Sequence, residues 1–330
     1  GTPYRKFTPY KNTWLKKLTY YDINTYQPKF TNLTPIKQLG KFAQYLSLIQ
    51  IGFKNSKLWL HPGEDAASKR LTAFLKKIDM YDQHRDLPEV DGTSGLSVHL
   101  RFGTISIRNL VRAAYKRKSQ GAQLWLSELI WRDFYQMILN LYPVVVEETF
   151  LPQFKQLKWP GTNSHFIAWK KGITGYPIID AAMRHFNKTG WMHNRLRMIV
   201  ASFLVKDLLV DWRKGEAYFS RYLLDYDLAA NNGGWQWCAS TGCDAQPWFR
   251  IFNPITQSKR FDFKGNFIRQ VLPEVANFSN KDIHFPAATS IETQKSSGCI
   301  IGKNYPKPIV EHSVQRERIL SFFNKSKTHK

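Results

Sequence analysis

Cysteine is scarce in this sequence of 330 residues, which contains only Cys238, Cys243 and Cys299. Three cysteines are too few for a disulfide framework, and their positions lack the paired spacing of a structural zinc site. They indicate a protein that works in a reducing compartment. Disulfide-rich secreted proteins and zinc-ribbon proteins are therefore excluded as classes.

Long apolar runs are also absent. The best candidate, residues 134–146, is interrupted by Gln136, Asn140 and Pro143 and is shorter than the ~18 residues of a membrane span. The first residues lack the apolar core of a secretory signal. We therefore expect a soluble intracellular protein with no membrane contact, cytoplasmic in a bacterium and nuclear or organellar in a eukaryote.

Acidic residues are few relative to basic ones. The 48 Lys and Arg outnumber the 25 Asp and Glu, which gives a net charge of +23. Such an excess favours an anionic partner, because basic side chains that neutralise phosphates release condensed counterions. Aromatic residues make up 15% of the chain, and their rings stack on bases and on planar cofactors. The composition therefore indicates nucleic acid, a ring cofactor, or both.

The phosphate-binding glycine motifs GxGxxG and GxxxxGK[ST] do not occur, and alternating strand patterns are scarce. Helical periodicity predominates, and it predicts one all-α domain over residues 63–330, with a C-terminal wrap after Asn277. Residues 1–62 are predicted to be an irregular basic arm, since prolines recur there and Asp22 is the only acid. The predicted helices begin near Asp65 and cover residues 107–118, 122–141, 176–188, 192–209, 216–223 and 313–323.

Four segments combine side chains that could carry chemistry. Residues 92–97 (Gly-Thr-Ser-Gly-Leu-Ser) place three hydroxyls before a helix start, which makes either an anion site or an ordinary N-cap with a turn. Further on, Glu128, Trp131 and Arg132 share one helix face by their i, i+3, i+4 spacing. A purely apolar face would not carry Glu and Arg, so a polar pocket or an internal ion pair is indicated.

The third and fourth segments lie later in the chain. Asn194, Arg197 and Met198 share a helix face, and the adjacent His193 is assigned no catalytic role. Residues 225–237 contain two acids that could cap a helix, accept hydrogen bonds from a ribose or ring, or ligate a metal. A metal is the weakest of these interpretations and we expect none, because no His, Cys and Glu cluster lies nearby.

In this order the four segments, together with residues 175–184, resemble the flavin-binding catalytic part of the DNA photolyase/cryptochrome family. The resemblance extends from Thr8 to about His312 and is strongest to the class I cyclobutane pyrimidine dimer photolyases. It implies a helical domain that holds FAD bent into a U, with Asn194 facing flavin N5. The cofactor-binding residues that it implies are Tyr81, Thr93, Ser94, Gly95, Leu96, Ser97, Trp125, Arg132, Trp191, Asn194, Arg197, Asp225, Tyr226, Asp227 and Asn231.

The resemblance also implies an electron relay of Trp235 next to the flavin, then Trp212, then Trp159 towards the surface. Without the resemblance, all three would be interpreted as core tryptophans. Glu128 would supply the polar contact to a flipped-out dimer, and with Asn194 and the relay it forms the implied catalytic set. The implied lesion- and DNA-binding residues are Arg85, Glu128, Trp131, Arg132, Asn194, Arg195, Met198, Trp237 and Gln257.

The activity implied by the family is light-driven repair of cyclobutane pyrimidine dimers in DNA, a carbon–carbon lyase reaction. In it, photoexcited and fully reduced anionic FAD lends an electron to the dimer. The family usually has an N-terminal α/β domain before the arm, so we expect no antenna chromophore on this chain alone. The chain is expected to be monomeric or to associate with that missing domain.

Two other functions stay open. A cryptochrome-like blue-light sensor would bind flavin without repairing DNA, although Trp131, Met198 and Trp237 retain the dimer-reading set. A nonenzymatic DNA-binding module would explain the net charge but not the flavin segments. Repair of (6-4) photoproducts is disfavoured, because a histidine would be expected in the place of Asn194 in that group.

Overall fold

The computed structural model describes residues 3–26, 29–40, 45–54 and 58–325. Within these ranges the structure is helical, and the one β contact is an isolated parallel bridge between Ile301 and Tyr305. The predicted all-α fold is therefore confirmed. The α-helices are α1 (Phe7–Lys17), α2 (Tyr20–Ile23), α3 (Ile36–Leu39), α4 (Glu64–Leu75), α5 (Tyr81–His84), α6 (Ser97–Arg101), α7 (Ile107–Tyr115), α8 (Gln120–Leu141), α9 (Asn163–Lys171), α10 (Pro177–Thr189), α11 (Asn194–Ser202), α12 (Trp212–Tyr222), α13 (Leu228–Ala239), α14 (Pro254–Phe261), α15 (Asn266–Val271), α16 (Ile291–Ser296) and α17 (His312–Lys325).

Short helical turns connect several of these helices. Most of them are 3₁₀ turns that begin at a proline, whose fixed φ suits the first position of a helical turn. The 3₁₀ turns cover Phe30–Asn32, Ile78–Met80, Pro143–Val146, Pro152–Phe154, Pro273–Val275 and Pro286–Ala288, and one π-helical turn covers Phe203–Asp207.

The longest described helix, α8, lies at the centre of the N-terminal half. Ser119 caps it by accepting a hydrogen bond from the Ala122 N–H. Its most buried face is apolar, and α5, α7 and α13 pack around it. Its partly buried side carries Glu128, Trp131 and Arg132, as their spacing predicted.

Two apolar cores meet beside α8. The first is built from α4, α5, α7 and α8, and the second from α10 to α13 with the chain around residues 267–310. Helix α8 belongs to the first core, whereas α11 and α13 belong to the second. A cavity between α8 and these two helices is therefore bounded by rigid, well-packed elements on both sides.

Helix α13 lies within a region for which the apolar pattern predicted no helix, although a helix cap was one interpretation of its acids. Asp227 caps the helix by accepting a hydrogen bond from the Ala230 N–H at 3.0 Å. A Cβ atom at Gly233 would lie 2.2 Å from the Tyr135 ring, so glycine permits the close approach to α8. A glycine costs a helix about 1 kcal/mol relative to alanine. Tertiary packing offsets this cost, which the local pattern could not show.

The helix predicted over residues 192–209 is also divided. Helix α11 ends at Ser202, and the π-helical turn follows it and buries Lys206. The Lys206 Nζ atom donates to Ser240 Oγ at 2.8 Å and to the Trp248 carbonyl at 3.2 Å. Burial lowers the pKa of Lys206 to about 7. The π-helical turn thus carries a lysine whose side chain is buried and hydrogen-bonded.

The other predicted helix ends agree with the structure within a few residues, except at α12. This helix begins at Trp212, four residues before the predicted start at Glu216. Asp211 caps it by accepting a hydrogen bond from the Arg213 N–H at 3.0 Å. The helical spacing of apolar residues does not mark the first turn, so the sequence pattern did not identify Asp211 as the N-cap.

The arm is more ordered near its start than predicted. Helix α1 tolerates Pro9 because this residue falls within the first turn, where a backbone nitrogen needs no partner inside the helix. Its buried Phe7 donates a backbone hydrogen bond to Asp244 Oδ2 at 3.0 Å, and Trp14 Nε1 donates to Asp133 Oδ2 on α8 at 3.0 Å. The described residues after α2, up to Trp59, are mostly irregular and exposed, as predicted. The boundary at residue 62 stays a prediction.

None of the helices that the structure describes is both long enough and apolar enough to cross a membrane.

Candidate functional site

A cavity of about 510 Å³ opens between α8, α11 and α13. Its size lies within the usual range for sites that bind small molecules and cofactors. Residues 93–97 form one wall, and side chains of both apolar cores line the remainder. The predicted site residues that line this cavity are Tyr81, Arg85, Thr93, Ser94, Gly95, Leu96, Ser97, Trp125, Glu128, Trp131, Arg132, Trp191, Asn194, Arg197, Met198, Asp225, Asp227, Asn231, Trp235 and Trp237.

Five predicted site residues do not line the cavity: Tyr226, Arg195, Gln257, Trp159 and Trp212. For Trp159 and Trp212 this agrees with the prediction, which places them beyond Trp235. Arg195 lies outside the cavity, where it forms an ion pair with Asp86, and Asp86 also lies close to Arg85 in the cavity wall. Tyr226 and Gln257 stay predictions without a place in the cavity wall.

A hydrogen bond from Arg70 stabilises the turn over residues 92–97. Arg70 Nε donates to the Ser94 carbonyl at 2.9 Å, and Gly95 has φ +62°, a conformation that favours glycine. The residue before α6 is Leu96, so none of the hydroxyls serves as the N-cap. The hydroxyls of Thr93, Ser94 and Ser97 instead belong to the cavity wall, where they can bind a polar chain or a phosphate.

Arg197 and Asp225 form an ion pair in the cavity wall. The Arg197 Nη2 atom lies 3.0 and 2.7 Å from the two Asp225 oxygens, and its Nε donates to the Met192 carbonyl at 2.8 Å. The Asp225 side chain is only 2% exposed. Removing Arg197 would leave a buried carboxylate without its charged partner, which is strongly unfavourable. The resemblance implies that both residues bind the cofactor, and the ion pair places their charged groups together in the cavity wall.

Two further arginines of the cavity wall also pair with acids. Arg85 Nη1 lies 2.6 Å from Glu128 Oε1, and Arg132 Nη2 lies 4.0 Å from Asp227 Oδ2. Each arginine of the wall therefore has a carboxylate close by. The ion pairs fix the positions of the guanidinium groups, and the carboxylates neutralise their charge within the wall.

Two amides in the wall differ in how firmly they are oriented. Asn231 Nδ2 donates to Glu216 Oε1 at 2.8 Å and to the Glu216 carbonyl at 3.3 Å. Burial raises the pKa of Glu216, and the hydrogen bond from Asn231 lowers it. Asn194 is exposed, and its amide nitrogen donates a weak hydrogen bond to Met198 Sδ at 3.9 Å. The structure thus fixes the orientation of Asn231 more firmly than that of Asn194.

The wall formed by α13 has room for a planar group. A Cβ atom at Gly234 would meet no atom within 4 Å, although this residue lines the cavity. One residue later, the Trp235 ring fits against Gly215 of α12, where a Cβ would lie 2.1 Å from it. The helix therefore exposes bare backbone to the cavity at Gly234, which suits the close approach of a flat ligand.

The residues of the cavity wall fit a flavin cofactor. An aromatic and apolar wall, a row of hydroxyls, an oriented amide and three paired arginines match the ring, phosphate and ribityl parts of FAD. Among residues 3–26, 29–40, 45–54 and 58–325, no group of three His, Cys, Asp or Glu side chains could hold a metal ion. The residues present thus fit an organic cofactor.

Comparison with known proteins agrees with this geometry. The family model described as the FAD binding domain of DNA photolyase matches residues 125–325. The chain belongs to the DNA photolyase family. This finding confirms the predicted family, the helical FAD-binding fold and the FAD cofactor.

Curated relatives of this photolyase-family chain are named deoxyribodipyrimidine photo-lyase. The protein from Alkalihalophilus pseudofirmus is 44% identical over 98% of this chain and 68% of its own length. The Escherichia coli protein is 43% identical over 99% of this chain and 69% of its own length. The chain thus spans about two thirds of each relative, and the photolyase assignment is confirmed.

Solved structures of the family superpose on the chain. A class III photolyase from Agrobacterium tumefaciens has a TM-score of 0.88 and 35% identity, covering 99% of this chain and 70% of its own. A cryptochrome from Synechocystis has a TM-score of 0.74 and 34% identity, covering 81% of this chain and 57% of its own. Both photolyases and cryptochromes therefore share this fold.

The three relay tryptophans of this photolyase-family chain differ in burial. Trp235 is 3% exposed and lines the cavity, Trp212 is fully buried, and Trp159 is partly exposed. Trp159 packs against Phe322 and Phe323 of α17 with ring centroids 5.1 and 6.1 Å away. Trp235 thus borders the cavity and Trp159 reaches the surface, and the relay that would join them through Trp212 stays a prediction.

Sequence reasoning missed three residues that shape the site: Arg70, Asp86 and Glu216. Each acts on a predicted site residue through a hydrogen bond or ion pair that spans at least 15 positions in sequence. Asp86 follows Arg85 directly in a chain with few acids, which was the one available signal. For Arg70 and Glu216 the sequence carried no signal.

Proposed function

We propose that this chain binds FAD in the cavity and uses it for light-driven repair of cyclobutane pyrimidine dimers in DNA. The observation that carries the proposal is that one cavity joins a flavin-type wall with a lesion-type wall. The first comprises residues 93–97 and the Arg197–Asp225 pair, and the second comprises Glu128, Trp131 and Trp237. Bound reduced FAD supplies, under blue light, the electron that opens the cyclobutane ring and receives it back.

On the flavin side, the chain supplies fixed polar contacts. Arg197 and Asp225 would pair at the ring edge, so their charges balance and the ring meets an oriented dipole. The resemblance assigned Asn194 to flavin N5. We propose instead that Asn231 makes this contact, because Glu216 holds its amide nitrogen and leaves the carbonyl oxygen as an oriented acceptor. Asn194 would then contact the lesion.

On the lesion side, the residues suit a damaged base pair that has left the duplex. Trp131 and Trp237 provide flat apolar surfaces, and Met198 provides an adaptable contact. Arg85 engages one oxygen of Glu128, which leaves the second oxygen as an acceptor for a base N–H. A flipped-out dimer would replace the stacking it loses in DNA with contacts to the indole rings.

Around the cavity, basic side chains would bind the DNA backbone. The net charge of +23 favours phosphate contacts, and we assign Arg85, Arg195 and Gln257 to DNA near the lesion. We propose that the cavity holds one FAD and that the chain acts as a monomer. Its three cysteines are buried and free, as a reducing compartment would allow.

The relay from Trp235 through Trp212 to Trp159 would serve to recharge the cofactor. Indole is readily oxidised, so a row of indoles lets an electron hole move from a photoexcited oxidised flavin to the surface. The partial exposure of Trp159 supports this direction, because a hole that reaches this residue can be filled from solvent.

The test is a repair assay on the purified chain loaded with FAD. We expect a flavin absorption spectrum, and we expect the chemically reduced protein to restore thymine monomers in an irradiated oligonucleotide under blue light but not in the dark. The likeness to a cryptochrome supports a second candidate, a light sensor. Bound and photoreducible FAD without any restored monomers would contradict repair and favour the sensor.

A further inference from the structure

A row of alternating charges extends away from the cavity. Glu128, Arg85, Asp86 and Arg195 follow one another in space, so that each arginine lies next to the carboxylate of Asp86. We propose that Asp86 is a positioning residue for lesion recognition, because it holds both arginines and, through Arg85, the carboxylate of Glu128. This inference rests on the proposed function, since it concerns the lesion side of the same cavity.

The contact between Asp86 and Arg195 has two points. Arg195 Nε lies 3.3 Å from Asp86 Oδ1, and Arg195 Nη2 lies 2.8 Å from Asp86 Oδ2. A two-point contact fixes the plane of a guanidinium group as well as its position. The same group lies 4.2 Å from the centroid of the Phe261 ring, which supports it from another side.

The contact between Asp86 and Arg85 extends the row to the cavity. Arg85 Nε lies 3.7 Å from Asp86 Oδ1, while Arg85 Nη1 lies 2.6 Å from Glu128 Oε1. Burial lowers the pKa of Arg85, and the nearby Glu128 carboxylate raises it, with a net rise. Arg85 is thus held from both ends, by Glu128 in the cavity wall and by Asp86 outside it.

Partial burial makes these interactions stronger than ordinary surface ion pairs. The side chains of Arg85 and Arg195 are only 18% and 15% exposed, and those of Asp86 and Glu128 are 32% and 30% exposed. Salt screens such groups less than fully exposed charges. The two carboxylates and two guanidinium groups of the row also have a net charge of zero, although the chain as a whole is strongly basic.

This arrangement separates two ways in which an arginine can act on DNA. A free arginine binds any phosphate and strengthens binding to damaged and undamaged DNA alike. An arginine that is fixed by a carboxylate, as Arg85 is by Asp86, instead orients a neighbouring group, here Glu128. The contact between Glu128 and the lesion then distinguishes damaged from undamaged DNA. Loss of Asp86 should therefore weaken discrimination without weakening general DNA binding.

The test compares Asp86→Asn with Glu274→Gln. Both remove one negative charge from a partly buried ion pair, and the Arg184–Glu274 pair, at 2.5 Å, does not line the cavity. We expect the ratio of affinities for dimer-containing and undamaged oligonucleotides to fall about tenfold in Asp86→Asn, the effect of one lost charged hydrogen bond. Affinity for undamaged DNA should match or exceed that of Glu274→Gln, and Asp86→Glu should recover part of the ratio.

Two results would overturn the inference. One is an unchanged ratio in Asp86→Asn while wild-type protein prefers damaged DNA. The other is a parallel loss of FAD, thermal stability and binding to both DNAs, which would give Asp86 a merely structural role. A wild-type chain that shows no preference for damaged DNA contradicts the proposed function itself, so the two failures are distinguishable.

Discussion

Phe7 of α1 stacks face to face on Trp131 of α8, with ring centroids 3.7 Å apart and ring planes 8° apart. One face of this indole is thereby covered by the start of the arm, while the residue also lines the cavity. The arm is thus a structural support for the lesion side of the site. The parallel contact buries apolar surface of both rings, which stabilises the position of the indole.

Replacement of Phe7 by alanine should cost about 3 kcal/mol of stability, because a buried ring is removed from the first core. It should also weaken binding of dimer-containing DNA, since Trp131 loses its support, while FAD binding is retained. Urea unfolding and oligonucleotide titration measure the two effects. Phe30→Ala is the control, because this exposed ring of the same arm should change stability by less than about 0.5 kcal/mol. Equal effects of both variants would refute the support role.

Neighbouring glycines of α13 should respond to alanine in opposite ways. Gly234→Ala should stabilise the FAD-free protein by about 0.5–1 kcal/mol, since alanine favours a helix and its Cβ meets open space. It should weaken FAD binding, because the same Cβ enters the cavity. Gly233→Ala should instead destabilise the FAD-free protein through the clash with Tyr135. Unaltered FAD affinity in Gly234→Ala would show that the flavin does not approach this part of α13.

The two cavity amides can be distinguished by the reduction potential of bound flavin. Asn231→Asp places a negative charge beside Glu216, and a charge next to N5 should disfavour anionic reduced flavin. We expect a fall of about 30 mV or more, which for a two-electron couple corresponds to about 1.4 kcal/mol. Asn194→Asp, the matched change at the exposed amide, should shift the potential less. A larger shift in Asn194→Asp would return the N5 contact to Asn194.

The relay predicts a separation of photoreduction from repair. Trp235→Phe should slow photoreduction of oxidised flavin by tenfold or more, because the first indole is lost, while chemically reduced protein still repairs DNA. Trp169→Phe is the control, since this buried indole lies 6.0 Å from the Trp235 ring but lies outside the predicted relay. Transient absorption after a light pulse measures both rates. A similar slowing in both variants would argue for a packing effect instead of electron transfer.

His193 should make stability depend on pH in mildly acidic solution. Burial lowers its pKa from 6.5 to about 4, and its Nε2 is buried without a hydrogen-bond partner. The unfolded chain therefore binds the proton more tightly, so about 3 kcal/mol of stability is lost as the pH falls from 6.5 to 4. The charged groups that also influence it are Asp86, Arg195, Arg197 and Arg85.

Replacing His193 with asparagine should flatten this profile. Asparagine keeps the cap of α11, where His193 Nδ1 accepts from the Arg195 N–H at 3.1 Å, but carries no titratable group. Urea unfolding between pH 4 and pH 7 measures the change. A variant with the same pH slope as the parent chain would assign the dependence to other groups.

The sequence predicted those parts of the site that lie on regular amphipathic helices. Glu128, Trp131 and Arg132 appear on one face of α8 as their spacing requires, because a helix has a fixed period. The resemblance located most other cavity residues, since its motifs fix residue types at fixed positions. Helix α13 escaped prediction because Gly233 is favourable only against Tyr135, a contact between distant parts of the chain.

The sequence could not predict which acidic residues orient the side chains of the site, because these contacts join distant parts of the chain. Glu216 orients Asn231 over 15 positions of sequence, and Asp86 holds Arg195 over 109 positions. Neither acid belongs to a motif, and each matters only after the helices have packed. Phe7 is similar, because the prolines of the arm concealed a helix that is stabilised by its contact with α8.

The paired arginines of the cavity have a practical consequence for handling the protein. Attraction between the basic surface and DNA weakens steeply as ionic strength rises, whereas partly buried ion pairs such as Arg197–Asp225 are shielded from dissolved ions. A salt gradient on a heparin or DNA column should therefore release the chain from the polyanion while it remains yellow.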